Sequence, residues 1–318
     1  MNVNEDQIRM VVRSRATPGA GVVELELVSE NGDLLPAWTP GAHIDVHCNG
    51  DIVRQYSLCG DHTERDSYRI AVLRADPGRG GSAFVHDALG CGTKLLIGAP
   101  RNNFSFVAGK RYLFIAGGIG ITPLLPMIRE AVRNGSDWDL WYGGRELESM
   151  AYAAELETMY GEHVHLWPQD QFGMLPLETL LETPDPDTRI YCCGPLPMLA
   201  AAETLSEKWA PGSFHMERFE PLDTSDMDKP RAFEVELRQS GLHLFVPADQ
   251  SLLQVLTEAG IEVLCSCREG TCGTCEVPVV DGEVEHRDSV LFPDEQAMND
   301  VMMACVSRAK GEKLVLDL

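Results

Sequence analysis

Near the end of this 318-residue chain runs CSCREGTCGTC, residues 265–275, with a distant Cys305 in MMACVSRAK. Cys267, Cys272 and Cys275 stand in the pattern C-x4-C-x2-C, and Cys305 comes after 29 intervening residues. This is the plant-type spacing with which four thiolates hold a [2Fe–2S] cluster. Three close cysteines on one irregular loop can wrap two irons and their sulfides, and the fourth closes the cage from another segment. Gly270 and Gly273 let the backbone turn inward and aim amides at the sulfurs. Four cysteines can also hold zinc, but structural zinc sites usually come as two short C-x2–4-C pairs. Here there is a triplet and a singleton. Cys265 falls outside the frame and is expected to be a buried thiol that ligates nothing.

The length suggests two or three domains. No apolar run approaches the roughly 20 residues of a membrane span. The start, MNVNEDQIRM, lacks the basic and apolar regions of a signal peptide, so a cytoplasmic chain is expected. The ten cysteines show no disulfide framework. A net charge of −23 argues against nucleic acid, which needs clustered Lys and Arg, and against anionic membranes. The charge serves solubility, or it steers the chain toward a basic partner. Glu269, Glu276, Asp281, Glu283, Glu285 and Asp288 surround the cysteine segment, so a basic acceptor protein docking there is expected.

Residues 1–107 read as short β-rich runs separated by Gly, Pro, Asn and Asp: IRMVVRSR, VVELELV, AHIDVHC, YRIAVLR and TKLLIG. An antiparallel barrel or sandwich is expected, with one helix over Ser82–Leu89. RQYSL, from Arg54 to Leu58, offers a cation, an aromatic face and a hydroxyl. Those groups suit a flavin: Arg54 for phosphate, Tyr56 beside the sugar or ring, Ser57 donating to the ring. GRGGS, from Gly78 to Ser82, precedes the helix and can form an anion site from free amides and the helix dipole. Each motif has a plain alternative, a surface ion pair at Arg54 and a flexible turn at GRGGS.

Residues 108–222 change to alternating strand and helix patterns, which implies a parallel sheet with ligands at the strand C-terminal ends. RYLFIAGG leads through GGIGITP into the amphipathic PLLPMIREAVRNG, the layout of a nucleotide-binding βα turn. Gly117, Gly118 and Gly120 let the backbone approach a pyrophosphate, and Thr122 is expected to cap the helix. Cys193-Gly194-Pro195 ends a later strand; Gly194 permits close ligand approach and Pro195 starts a helix. Arg145 could meet a 2′-phosphate, but Glu146 and Glu148 flank it, so NADH is favoured over NADPH.

Leu222–Arg231 is polar and rich in turn formers, and 223–231 is read as a linker. Residues 232–318 then give a strand pair, a helix ending at Gly260, the cysteine loop and the closing strand EKLVLDL. This last order resembles the β-grasp fold of plant-type ferredoxins, so the expected whole is multidomain: an antiparallel β-barrel, an α/β Rossmann-like domain and an α+β β-grasp ferredoxin domain.

The order of RQYSL, GRGGS, GGIGITP, YCCGP and CREGTCGTC resembles the phthalate dioxygenase reductase family across essentially the whole chain. The resemblance implies FMN, where the broader ferredoxin–NADP reductase group uses FAD. It implies Arg54, Tyr56 and Ser57 at the flavin, and Gly80, Gly81 and Ser82 at its phosphate. It implies Cys193, Gly194 and Pro195 near the nicotinamide, with Gly118, Gly120 and Thr122 on the nucleotide. The aromatic over the flavin ring would be Phe219. The implied activity passes electrons from NADH through FMN and the cluster to a separate terminal oxygenase of a Rieske system. That oxygenase would be an aromatic-compound dioxygenase or an O-demethylase. Ser57, donating to the hydride-accepting ring nitrogen, is the side chain assigned to catalysis. EHRDSVL, Glu285 to Leu291, also matches the family, with no mechanism assigned. Two other classes stand beside this one: a stand-alone flavin reductase or diaphorase, and a non-enzymatic iron–sulfur redox protein.

Overall fold

The computed structural model describes residues 7–49, 52–75, 77–225 and 227–318. The chain divides into two compact units, Met1–Glu217 and Arg218–Leu318.

The first unit begins with β1 (Gln7–Gly19), β2 (Val22–Ser29), β3 (His43–His47), β4 (Val53–Ser57), β5 (Ser67–Leu73), helix α1 (Gly81–Ala88) and β6 (Lys94–Gly98). The strands form an antiparallel sheet in the order β4-β3-β6-β1-β2-β5. In β2 the period-two alternation buries Val23, Leu25 and Leu27 and turns Glu24 and Glu26 outward. The sheet curls shut where Leu58, just after β4, bridges Ile70 of β5 and the Cys59 amide donates to the Arg69 carbonyl at 2.9 Å. Closure leaves no free edge between β4 and β5 and sets Arg54–Ser57 on the closing seam.

The same unit continues with β7 (Arg111–Gly117), α2 (Ile121–Arg133), β8 (Asp137–Gly144), α3 (Ala153–Tyr160), β9 (Val164–Pro168), α4 (Gln169–Phe172), α5 (Leu177–Leu180), β10 (Thr188–Cys193), α6 (Leu196–Ser206) and β11 (Phe214–Glu217). The five strands are parallel, in the order β11-β10-β7-β8-β9. Phe114 to Gly117 are all buried, as expected for a central strand covered on both faces. The strand order reverses between β7 and β10, which places the ligand crevice at their C-terminal ends.

Barrel and sheet share one core: Val22, Cys59 and Ala71 pack with Ile121, Leu125 and Tyr142. Arg129 of α2 donates to the Cys59 and Gly60 carbonyls at 2.7 and 2.9 Å, and the Tyr152 hydroxyl donates to Glu24 at 2.7 Å. Such charged and buried bonds are worth about 1–3 kcal/mol each and explain why the two layers form one unit. The connecting segment is held as well, because the Tyr191 hydroxyl accepts from the Val107 amide at 2.6 Å and donates to Ser105 at 3.2 Å.

The second unit contains β12 (Phe233–Leu237), β13 (Leu242–Val246), α7 (Leu252–Glu258), β14 (Glu276–Asp281), β15 (Val284–Glu285), α8 (Pro293–Met298), β16 (Val301–Met303), β17 (Arg308–Ala309) and β18 (Lys313–Leu316). Its main sheet runs β13-β12-β18-β14-β16, with β12 and β18 parallel and the other pairs antiparallel. Ser251 caps α7 through the Gln254 amide in a capping box, and Leu252, Leu253, Val255 and Leu256 face the core. Part of the expected linker is fastened to this unit. The Asp228 carbonyl accepts from Arg287 at 2.6 Å, and the Arg231 carbonyl from Arg308 at 3.0 Å.

Candidate functional site: thiol cage, flavin seam and nucleotide turn

The four frame cysteines are brought together. Cys267, Cys272, Cys275 and Cys305 are all buried, with exposures of 2–8%. Cys267 contacts Cys272 and Cys305, and Cys275 contacts Cys305. The loop reaches this packing through left-handed residues at Arg268, Gly270 and Gly273 (φ 59°, 72° and 70°). The Glu269 amide points at the Cys267 sulfur from 3.4 Å, and the Cys272 sulfur lies 3.1 Å from the Thr274 hydroxyl. Among the described residues no three His, Cys, Asp or Glu side chains converge as they would on a single ion. Thiolates divided between two irons need no such common point, so this donor set fits a [2Fe–2S] group.

Cys265 departs from expectation: it is exposed, beside Leu264 at 66% exposure. The stretch 261–266 pairs with no strand after Gly260 (φ 77°) ends α7; Ile261 and Val263 turn to the core while Leu264 and Cys265 are left at the surface. The acidic ring also thins. Asp288 is buried, Glu285 pairs with Arg287 at 2.8 Å and Glu283 with Lys310 at 2.6 Å, while Glu276 and Asp281 remain exposed.

EHRDSVL proves to be the backing of the cysteine loop. The Ser289 amide and hydroxyl both donate to the Gly270 carbonyl, at 2.9 and 3.2 Å. Burial pushes the Asp288 carboxyl up. The nearby His286, 3.7 Å away, and hydrogen bonds from the Leu291 and Val290 amides outweigh it, so the group stays below the usual carboxylate range. The sequence showed the segment, but only the fold shows what it touches.

At the barrel seam the two expected flavin motifs meet. Arg54 donates to the Arg79 carbonyl at 3.2 Å, and a Cβ on Gly81 would stand 2.4 Å from the Arg54 Cγ. Gly81 is thus a cradle for the arginine stem, while Gly80 (φ 87°) makes the left-handed entry into α1. The Ser82 hydroxyl accepts from the Ala75 amide at 3.1 Å. A guanidinium beside the first turn of an eight-residue helix is a fitting phosphate site. Tyr56 is half-buried against the barrel core and Ser57 is buried beside its cross-strand partner His43.

The glycines of the nucleotide turn divide their work differently from expectation. A Cβ on Gly120 would lie 2.2 Å from the Cys193 carbonyl oxygen, and one on Gly117 2.6 Å from the Pro195 Cδ. One on Gly194 would lie 2.4 Å from the Met198 Cε and 2.9 Å from the Gly117 Cα. These three let the ends of β7 and β10 interlock. Gly118 (φ 54°) has open space around its Cβ position, so its backbone is not spent on packing. Thr122 does not cap α2. Gly120 holds that position, and the Thr122 hydroxyl donates to the Ile119 carbonyl at 3.0 Å. The Cys193 thiol lies in the core, pushed well above its ordinary value by burial first and then by Glu217 and Cys192. Pro195 sits at the N-cap of α6.

Glu217 was not among the expected residues. It pairs with Cys193 across β10 and β11, its Oε2 is sealed with no hydrogen-bond partner among the described residues, and burial pushes its carboxyl up to about 8. No sequence signal marks it beyond its place two residues before Phe219. Phe219 itself is 38% exposed and belongs to the second unit.

Residues 235–310 match the model of the 2Fe-2S iron-sulfur cluster binding domain, and residues 114–204 that of the oxidoreductase NAD-binding domain. The phthalate 4,5-dioxygenase oxygenase reductase subunit of Pseudomonas putida is 40% identical over 94% of this chain and 93% of its own. This chain belongs to the phthalate dioxygenase reductase family. A solved phthalate dioxygenase reductase, described as a modular structure for electron transfer from pyridine nucleotides to [2Fe-2S], superposes with TM-score 0.72. It is 34% identical over 98% of both chains. An intact type IV self-sufficient cytochrome P450 monooxygenase matches all of this phthalate dioxygenase reductase relative with TM-score 0.89 and 39% identity. The chain spans only 43% of that monooxygenase. As a member of the phthalate dioxygenase reductase family it is an NADH-dependent oxidoreductase with an NAD-binding and an iron–sulfur domain. Among the described residues no helix is long and apolar enough to cross a membrane.

Proposed function

We propose that the chain is the reductase component of a two-component Rieske oxygenase system, taking electrons from NADH and delivering them singly to a separate terminal oxygenase. The observation that carries this reading is a phosphate-type helix start and a nucleotide turn in one unit, followed by four contacting buried thiols in the next. The chemistry a flavin would supply when bound is two-electron exchange with NADH and one-electron exchange with iron–sulfur acceptors, which would match the two.

The residues have the following tasks. Arg54 and the Gly80-Gly81-Ser82 turn bind the FMN phosphate. Tyr56 covers the sugar or ring edge, and Ser57 donates to the ring nitrogen that receives the hydride. Gly118 lets the backbone meet the NADH pyrophosphate. Gly120, Thr122, Cys193, Gly194 and Pro195 shape the crevice behind the nicotinamide, and Phe219 covers the flavin ring. Cys267, Cys272, Cys275 and Cys305 ligate the cluster. The domain division that goes with this is 1–107 for FMN, 108–222 for NADH, 223–231 as linker and 232–318 for the cluster. Glu276 and Asp281, exposed on the cluster unit, suit a basic docking face on an aromatic-compound dioxygenase or O-demethylase. Ten cysteines with no disulfide among them suit a reducing cytoplasm.

The test is steady-state reduction of a one-electron protein acceptor with NADH and with NADPH. NADH is expected to support the faster rate, and Cys272→Ala to abolish it while sparing flavin reduction. Full activity in Cys272→Ala would leave the chain a flavin reductase.

A further inference from the structure

We propose that Asp288 is a positioning residue for the iron–sulfur site, whose buried carboxylate joins the loop bearing three thiols to the segment bearing the fourth and lowers the reduction potential of the cluster they hold. This rests on reading Cys267, Cys272, Cys275 and Cys305 as the ligands.

The Asp288 side chain is 0% exposed. Its Oδ2 accepts from the Leu291 and Val290 amides at 2.9 and 3.2 Å, which fixes the turn that follows. Its Oδ1 accepts from the Ser307 hydroxyl at 3.2 Å, two residues beyond Cys305. Ser307 in turn accepts from the Arg287 amide at 3.2 Å. On the other side Ser289 holds the Gly270 carbonyl, between Cys267 and Cys272. The fit at Gly270 leaves no slack, since a Cβ there would stand 2.7 Å from Val306 Cγ2 and 3.2 Å from the Asp288 Cβ. Residues 287–289 thus stitch both ligand-bearing segments, with Asp288 at the centre.

Hydrogen bonding alone does not call for an acid here. An asparagine could accept from the same amides, and burying a carboxylate is costly unless it is paired. The facing cationic candidate is His286, whose Nδ1 lies 3.7 Å away, while Arg287 turns to Glu285 and the Asp228 carbonyl. What aspartate adds is a standing negative charge behind the loop. A cluster gains negative charge on reduction, and a fixed like charge in a buried setting opposes that gain.

The experiment is an EPR-monitored redox titration of the full-length holoprotein, wild type against Asp288→Asn and Ser307→Ala, with the rate of cluster loss to a chelator measured alongside. Asp288→Asn is expected to reduce at a higher potential and to lose its cluster faster by about tenfold. Ser307→Ala, which keeps the charge, is expected to lose its cluster faster with little change in potential. Asp288→Asn titrating at the wild-type potential overturns the proposal. If Asp288→Asn does not assemble a cluster, Asp288→Glu decides. A loaded variant at a potential near wild type supports the charge, and one shifted well above both wild type and Ser307→Ala overturns it. Cys272→Ala is measured in parallel. Full iron content there would fell the ligand reading itself, separately from the fate of Asp288.

Discussion

The cysteine loop of the second unit and the glycine turn of the first both use left-handed backbone, at Gly270 and Gly273 (φ 72° and 70°) and at Gly118 (φ 54°), but to different ends. In the cysteine loop the turns tuck side chains inward, so that four thiols are buried against one another with Ser289 and Asp288 behind them. At the nucleotide turn Gly118 faces open space, while Gly117, Gly120 and Gly194 are spent on packing. A group held by bonds to side chains needs a cage that is filled from behind. A dinucleotide that comes and goes needs bare backbone beside a rigid crevice. Substitutions in the two regions should therefore fail in different ways.

The largest separation is expected from Cys272→Ala or Cys305→Ser. Either removes the [2Fe–2S] signal and delivery to a one-electron protein acceptor, while NADH still bleaches the flavin; absorbance and EPR read both. If flavin reduction is lost with the cluster, the two sites are not independent and the comparison breaks.

Next come the glycines. Gly120→Ala forces a Cβ to 2.2 Å from a main-chain oxygen and should destabilise the first unit by about 3 kcal/mol. Gly118→Ala meets no neighbour but is held at positive φ, and should cost about 1 kcal/mol with most of its effect on the KM for NADH. Thermal melts set beside KM values sharpen the division between packing and ligand-facing glycines. Equal melting losses would erase it.

Arg54→Ala tests whether the seam is a phosphate site. Loss of a charged hydrogen bond of about 1.5–3 kcal/mol corresponds to flavin binding weaker by roughly 10- to 100-fold. Flavin retention through gel filtration is the readout, with cluster content unaffected.

Glu217 extends the comparison to stability alone. Its folded value of about 8 lies above the usual carboxylate range, so between about pH 4.3 and 8 the folded state keeps a proton that the unfolded state has lost. Stability of the wild type should fall across that window as pH rises. Glu217→Gln lacks the dependence, so its advantage over wild type should grow from pH 5 to pH 8 in urea melts. A constant difference would mean that the carboxylate is ionised in the folded state.

How much of this could be read from the sequence follows from the same contrast. The cysteine frame was legible because only thiolates serve and their spacing is local. Strand and helix alternation placed the barrel, the parallel sheet and the closing strand. The roles within GGIGITP were not legible, because the atoms that would clash with Gly117 and Gly120 come from Pro195 and Cys193, distant in sequence. Thr122 looked like a cap, yet the 3-10 turn at Gly118–Gly120 moved the start of α2 ahead of it. Short β11, the exposure of Cys265 and the burial of Asp288 depend on which segments fold over which, and composition carries no trace of that.

The central claim is that electrons entering at the glycine turn leave through the thiol cage. An anaerobic titration of the purified, iron-loaded protein with NADH, followed by absorbance and low-temperature EPR, tests it most directly. The account predicts that the flavin bleaches and a reduced [2Fe–2S] signal grows with NADH and only poorly with NADPH. A bleached flavin with no cluster signal would contradict it.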